Sequence, residues 1–404
     1  MSQLSRVFNI ADVEEQARRR LPKVIYEFIA RGAEDDEALR NNREAFRRLK
    51  LRTNVLVDVS ARSTETVLFG RTQAMPLAIA PTGAAGLVWC QGELELARAA
   101  AAARVPFSLA TRSLTSIEDI AANAGGTLWF QLYLWADRAL SYQLVERANA
   151  AGFEALLVTV DVPVDPNREF NRRNGFVLPF KPTGRSLYDM LAHPHWLLNV
   201  MGRYLATTGM PRYEHQGDRA RLTQGGKPRA SMCQDNLTWE DIRELRRRWP
   251  RTLMVKGILS AEDARRAVAC GADAVIVSNH GGRCLDAAIA PMDVLPEIVD
   301  AVGHRATVLV DSGVRRGTDI LKALALGASA VLSGRPTLYG LSLAGQAGAR
   351  KVLSILHDEM MTAMGQIGCP TIAELGPHMV HGAHARVAQS IENPVRAQMT
   401  LEKA

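Results

Sequence analysis

Ser278-Asn279-His280-Gly281-Gly282-Arg283 puts a base and a carboxylate ligand three residues apart in a single turn. The turn follows Ala274-Val275-Ile276-Val277, a short apolar run that reads as a buried strand. Its two glycines permit a tight turn and close approach of the backbone to a ligand. An imidazole can take a proton near neutral pH, and a guanidinium can hold a carboxylate through two parallel hydrogen bonds. A base beside a carboxylate clamp is what removal of hydrogen from a 2-hydroxy acid requires. Taken alone, the same residues also fit a turn that merely carries a surface histidine and arginine.

A second run, Asp311-Ser312-Gly313-Val314-Arg315-Arg316-Gly317, follows an apolar strand and opens a helix. Glycine-rich turns at helix amino ends bind phosphate through backbone N–H groups and the helix dipole. One βα unit later, Ser333-Gly334-Arg335-Pro336 adds another glycine and another cation. Neither a Gly-x-Gly-x-x-Gly fingerprint nor a Walker loop is present, so a mononucleotide phosphate fits better than NAD or ATP.

The elements that must carry these turns are eight short apolar runs: 77–80, 105–109, 128–132, 155–160, 252–256, 274–278, 307–311 and 330–333. Alanine-rich helical segments separate many of them, and this alternation implies parallel strands with helices outside. The count predicts a closed (β/α)8 TIM barrel in an α/β chain, preceded by helices over residues 1–50, with residues 1–404 forming one domain. Asp12 is the expected helix cap in that leading segment, and Leu21-Pro22 the expected break. Polar residues stand at the strand ends, where barrels gather their chemistry. They are Pro81-Thr82-Gly83, Gln131, Thr159, Asp161, Lys256, the Ser278–Arg283 turn, Asp311 and Gly334-Arg335.

The formal net charge of +7 over 404 residues suits an anionic partner. No nucleic-acid motif accompanies it, so nucleic acid is not an expected partner. The cysteines, Cys90, Cys233, Cys270, Cys284 and Cys369, are scattered and odd in number, which predicts free thiols. No metal site is expected: His378, His381 and His384 are irregularly spaced and lack carboxylate partners. There is neither a secretory signal nor an 18-residue apolar stretch.

A long excursion with no convincing strand follows the fourth strand, its basic part covering about residues 177–235. Within it, residues 193–205 mix Trp196, Leu197, Leu198, Val200 and Tyr204 with flanking cations such as Arg185, Arg203, Arg212, Arg219 and Lys227. That mixture fits an interfacial helix on an anionic bilayer, and equally a short helix packed on the barrel beside a lid.

Joined together, these motifs resemble the FMN-dependent 2-hydroxy-acid dehydrogenase/oxidase family over about residues 8–371. Pro81-Thr82-Gly83, the basic excursion and Gln366-Ile367-Gly368-Cys369-Pro370 are most similar to its membrane-associated mandelate dehydrogenase branch. The resemblance implies an enzyme that uses FMN to oxidise an (S)-2-hydroxy acid, mandelate-like first and lactate next, to the 2-keto acid. It implies electron transfer to a membrane quinone or respiratory carrier, a homotetramer, and a cytoplasmic protein peripheral on the inner face of the cell membrane. The alternatives are an oxidase using oxygen and, in another class, a non-catalytic flavin-binding protein docked on a membrane.

Residue by residue, the resemblance makes His280 the base and Asp161 the group that orients it. Arg283 and Arg168 hold the substrate carboxylate, and Tyr26 and Tyr133 bond the substrate. Lys256 lies near flavin N1 and O2, with Gln131, Thr159 and Ser278 on the ring edge and Pro81, Thr82 and Gly83 near N5. Asp311 holds the ribityl hydroxyls, and Ser312, Gly313, Arg315, Gly334 and Arg335 surround the phosphate. Three departures stand out. Ala110 occupies the flavin-side position of a serine in most relatives, so that contact is absent. Cys284 replaces a glutamine and Asn171 an aspartate. These bear on flavin potential and pocket shape and leave the acid–base groups intact.

Overall fold

A computed structural model describes residues 3–176, 183–215 and 235–382. Eight parallel strands close a barrel in sequential order: β1 (Leu77–Ile79), β2 (Phe107–Ala110), β3 (Leu128–Leu132), β4 (Ala155–Thr159), β5 (Thr252–Ile258), β6 (Ala274–Val277), β7 (Thr307–Val310) and β8 (Ala330–Ser333). All eight sequence-predicted runs contribute a strand. They are nearly continuous in apolar residues because each is covered on both faces, by the barrel interior and by outer helices. The interior alternates small and large side chains, with Ala78, Ala155, Ala274 and Ala330 beside Trp129, Leu157, Met254 and Leu309. It is thus filled rather than open. A hairpin of Thr66–Leu68 and Arg71–Gln73 plugs the amino-terminal mouth, its Phe69 ring 5.9 Å from Trp129 and edge-on to it. Only the carboxyl-terminal mouth is left for a site.

Three helices precede the barrel: α1 (Ile10–Arg20), α2 (Lys23–Ala30) and α3 (Glu37–Arg48). The Leu21-Pro22 break falls where expected, Pro22 standing directly before α2. The cap does not. Asn9, not Asp12, is the N-cap of α1, its side chain accepting from Asp12 N at 2.9 Å, while Asp12 accepts from Phe8 N. The pair is reciprocal, so a reading of one position alone picks the wrong member. A long helix over Arg335–Ile367 follows β8, broken at Ala344 and Gly345 and re-capped where Gln346 N donates to Glu95.

The described part of the excursion after β4 carries helices over Glu169–Arg173, Gly184–Leu191, Pro194–Trp196, Leu197–Gly202 and Arg203–Thr207. Trp196, Val200 and Tyr204, four residues apart, are buried on the barrel side. Trp196 Nε1 donates to Leu87 O at 2.8 Å and Gln91 N donates to the Tyr204 hydroxyl. The outer face is apolar too, with Tyr188 75% and Leu198 68% exposed and Leu187, Leu191 and Leu205 beyond half. The packed-helix expectation thus holds for the inner face, and the outer face stays exposed. Residues 177–182 and 216–234, which hold Arg219, Lys227 and Cys233, lie outside the described residues, as does His384. Among the described residues no helix is long and apolar enough to cross a membrane. Cys90, Cys270, Cys284 and Cys369 are free thiols.

Candidate active site

A cleft of about 520 Å³ opens at the carboxyl-terminal mouth, and residues from the ends of all eight strands line it. His280 enters from the turn after β6 with φ of +58°, followed by Gly281 at +68° and Gly282 at +71°. A left-handed histidine is uncommon, and such backbone persists where surrounding bonds fix it. Here His280 N donates to Ser278 Oγ, Gly281 N to Ser312 Oγ, and Gly282 N to Asn279 Oδ1. Gly282 also has to be glycine for a second reason. A Cβ there would stand 2.6 Å from Leu39 N, against the start of α3.

His280 Nδ1 lies 2.9 Å from Asp161 Oδ1, and its Nε2 lies 3.4 Å from the Tyr133 hydroxyl on the cleft side. Asp161 reaches this place because β5 bulges at Gly257, whose φ is +109°. A Cβ on Gly257 would sit 2.5 Å from that of Asp161. Burial raises the Asp161 carboxyl, but the charges of His280 and Lys256 outweigh it and hold it below its ordinary value. Burial likewise opposes the His280 cation. The charges of Cys284, Tyr133 and Asp161, and the bond to Asp161, override it and place His280 well above an ordinary imidazole.

The sign of the resulting pH dependence follows from this. A base works only when neutral, so kcat/KM should rise with pH through a midpoint above the ordinary value of about 6.5. In Asp161→Asn one of the favourable charges and its hydrogen bond are gone, so the midpoint should move down as the rate falls. An unmoved midpoint in kcat/KM profiles would remove Asp161 from this role.

Three guanidinium groups converge beside His280. Arg168 Nε donates to Arg283 O at 3.1 Å. Arg283 donates to Phe28 O and Arg31 O, and Arg335 to Ile29 O, Gly281 O and Arg31 O. Burial, with repulsion from Arg168 and Arg335, pushes Arg283 well below its ordinary value, and burial takes Arg335 down to about 10. Packed cations of this kind are relieved by an anion such as a carboxylate. The carbonyls that hold Arg283, and two of the three that hold Arg335, belong to the end of α2 and the segment after it, which is latched to the His280 turn from both sides. Ala33 N donates to Gly282 O, Asp35 N and Ala38 N donate to Asp286, and Asn42 exchanges amide hydrogen bonds with Asn279. Tyr133, Arg168 and Arg283 stand on the cleft wall. Tyr26 does not: it is half-buried against Tyr339, ring centroids 6.2 Å apart.

The cleft suits a flavin mononucleotide in its polar edge and its two glycine turns. Lys256 Nζ is buried between Ser278 Oγ at 2.7 Å and Asp311 Oδ2 at 3.1 Å. Burial opposes its charge, yet Asp311 and Asp161 raise its pKa and keep it cationic. Gln131 is fixed at both ends, Thr111 N donating to its Oε1 and its Nε2 donating to Thr159 Oγ1. Thr111, beside the departure at Ala110, gives its hydroxyl to Gln131 O and so braces β3 instead of facing the cleft. Pro81, Thr82, Gly83 and Ala110 line the opposite wall. Ser278 is wholly buried beneath the His280 turn and is not on the wall. Ser333, on the wall at the end of β8, has a buried hydroxyl without a partner among the described residues.

At the phosphate end one expectation changes. The amides of Arg315 and Arg316 donate to Asp319, and that of Gly317 to Glu359. The amino end of helix Gly317–Ala325 is thus already capped, and its dipole is answered by two carboxylates. Among the described residues, the amides of Ser312, Gly313 and Val314 donate to none. These, with Arg315, Gly334 and Arg335 on the same wall, are the groups available to a phosphate. Asp311 faces the cleft but is engaged by Lys256 and by Ser312 Oγ.

Several site residues carried no signal in the sequence. Arg112 lies over the Tyr133 ring, its guanidinium 5.5 Å from the centroid. Tyr213, from the returning end of the excursion, is buried and lines the cleft. Its neighbour His215 is buried edge-on to Phe130, and burial drives its pKa down to about 4, so it is neutral. Glu93 is buried as well, accepting from Leu114 N and Thr115 Oγ1, and it ties down the loop that bears Arg112.

The profile of the FMN-dependent dehydrogenase family matches residues 17–382. The chain is 43% identical to (S)-mandelate dehydrogenase of Pseudomonas putida over 92% of its length and 93% of that protein. It is 42% identical to L-lactate oxidase of Nostoc sp., covering 94% of this chain and all of that protein. A crystal structure of the monotopic membrane protein (S)-mandelate dehydrogenase superposes with a TM-score of 0.88 at 43% identity, covering 93% of this chain and 100% of that one.

Proposed function

The chain belongs to the FMN-dependent dehydrogenase family, and from that premise we propose that it oxidises an aromatic (S)-2-hydroxy acid to the 2-keto acid and passes the electrons to a membrane quinone or respiratory carrier. The observation that carries the reading is the Asp161–His280 pair beside the Arg168–Arg283 cluster in one cleft. FMN, when bound, supplies the two-electron acceptor. Arg283 and Arg168 hold the substrate carboxylate, which presents the carbinol to His280. Nε2 takes the hydroxyl-side proton, while Asp161 fixes Nδ1 and stabilises the resulting cation. Tyr133, between Nε2 and Arg112, bonds the substrate oxygen. Lys256 places positive charge where electron density gathers on the ring.

The aromatic preference rests on Phe28, Phe176 and Tyr213 on the wall, the first two with ring centroids 4.5 Å apart. Faster bleaching of the flavin by (S)-mandelate than by L-lactate is the expected outcome, and the reverse order would make the protein an aliphatic-acid enzyme. Oxygen uptake during turnover should be slow compared with quinone reduction; fast uptake would assign an oxidase.

The outer apolar face of the excursion supports peripheral docking on an anionic membrane. Leu187→Glu, Tyr188→Glu, Leu198→Glu and Leu205→Glu together should abolish pelleting with anionic phospholipid vesicles and leave reduction of a soluble dye unchanged. These positions are exposed, so the packing of Trp196, Val200 and Tyr204 is spared. A variant that still pellets would place the anchor elsewhere. A homotetramer, one domain over residues 1–404 and a cytoplasmic position on the inner membrane face complete the reading, and sedimentation and fractionation test them.

A further inference from the structure

Cys284 follows Arg283 directly, and beyond its effect on the His280 cation it takes no part in the chemistry above. Its side chain is partly exposed. One ligand atom from each of Asp161, His280 and Cys284 lies within 4.8 Å of the other two. Imidazole, thiolate and carboxylate are the ligand set of zinc, and three protein ligands with one position left to solvent is the make-up of an open zinc site. A second observation points the same way. Asp161 Oδ2 is buried and accepts no hydrogen bond from any described residue, the imidazole using only Oδ1. The cleft provides the entry path.

We propose that Asp161, His280 and Cys284 form an inhibitory site for a thiophilic divalent cation of the Zn²⁺ class, which excludes substrate by occupying the base. The inhibition rests on reading His280 as the base; the binding does not. Turnover needs no such metal. Arg168 and Arg283 work against any cation here, so the site is weaker than a closed structural one. The negative charges of a thiolate and of Asp161 offset a divalent ion, and the metal displaces the thiol proton to solvent.

The test uses the FMN-loaded protein with Co²⁺ as the spectroscopic probe and Zn²⁺ as the inhibitor. One equivalent of Co²⁺ should give a thiolate-to-cobalt band in the near-ultraviolet difference spectrum, and Zn²⁺ should displace it. The band should vanish in Cys284→Ser and persist in Cys233→Ser. Zn²⁺ should slow flavin bleaching competitively with the hydroxy acid. Cys284→Ser, and Cys284→Gln should the first variant lose FMN, should raise the half-inhibiting concentration at least about tenfold against its own metal-free rate. No band, a band that survives in both Cys284 variants, or equal inhibition of all forms would overturn the site. If no hydroxy acid bleaches the flavin, the cobalt band still reports the metal site, so the two readings fail separately.

Discussion

His280→Gln is expected to keep FMN bound and to slow flavin reduction by substrate about 10³- to 10⁴-fold, within the range for loss of a general base. Glutamine preserves the approximate size and can still donate to Asp161 Oδ1, but it cannot take a proton. FMN retention is expected because the groups assigned to the ring edge and phosphate are on other strand ends, at Lys256, Gln131, Ser312 and Gly334. The left-handed backbone at position 280 is a cost for any side chain there, so a melting curve should accompany the kinetics. Stopped-flow absorbance checks the result. Bleaching at the wild-type rate would transfer the role of base to another group.

Arg283→Met should lower kcat/KM about 10²- to 10³-fold, the cost of removing one partner from a buried charge-assisted contact. Both kcat and KM should change, because the guanidinium both binds the carboxylate and orients the carbinol toward His280. The same side chain holds Phe28 O and Arg31 O, so the variant also loosens the latch between the end of α2 and the His280 turn. Arg283→Lys separates the two effects. It restores charge without the planar fork, and should recover part of KM and little of kcat. Unchanged kinetics in Arg283→Met would refute the clamp.

The barrel was legible because its signal is local. Eight apolar runs too short for helices, punctuated by glycine and polar residues, require covered parallel strands, and each run contributes one. His280, Arg283 and Lys256 were legible for the same reason: each is an unusual residue at the end of such a run. What escaped depends on contacts distant in sequence. Gly257 matters only because Asp161, ninety-six positions earlier, packs against it. Asp286 reads as an ordinary loop acid until the segment entering α3 arrives to donate Asp35 N and Ala38 N. The helix at Gly317 looked like a phosphate site, since neither Asp319 nor Glu359 announces that it caps the helix. Tyr26 sits at a plausible place in α2 but turns toward Tyr339. The excursion was ambiguous on composition because it uses one helix stripe to hold the barrel and exposes the other.

The central claim is that this cleft removes hydrogen from a 2-hydroxy acid and delivers the electrons to bound FMN. Anaerobic absorbance of the purified yellow protein tests it most directly, with (S)-mandelate added first and L-lactate second. Loss of the flavin band within the mixing time of an ordinary assay, faster with (S)-mandelate, is the predicted result. A flavin that stays oxidised with every 2-hydroxy acid supplied, in protein that demonstrably holds FMN, would contradict it.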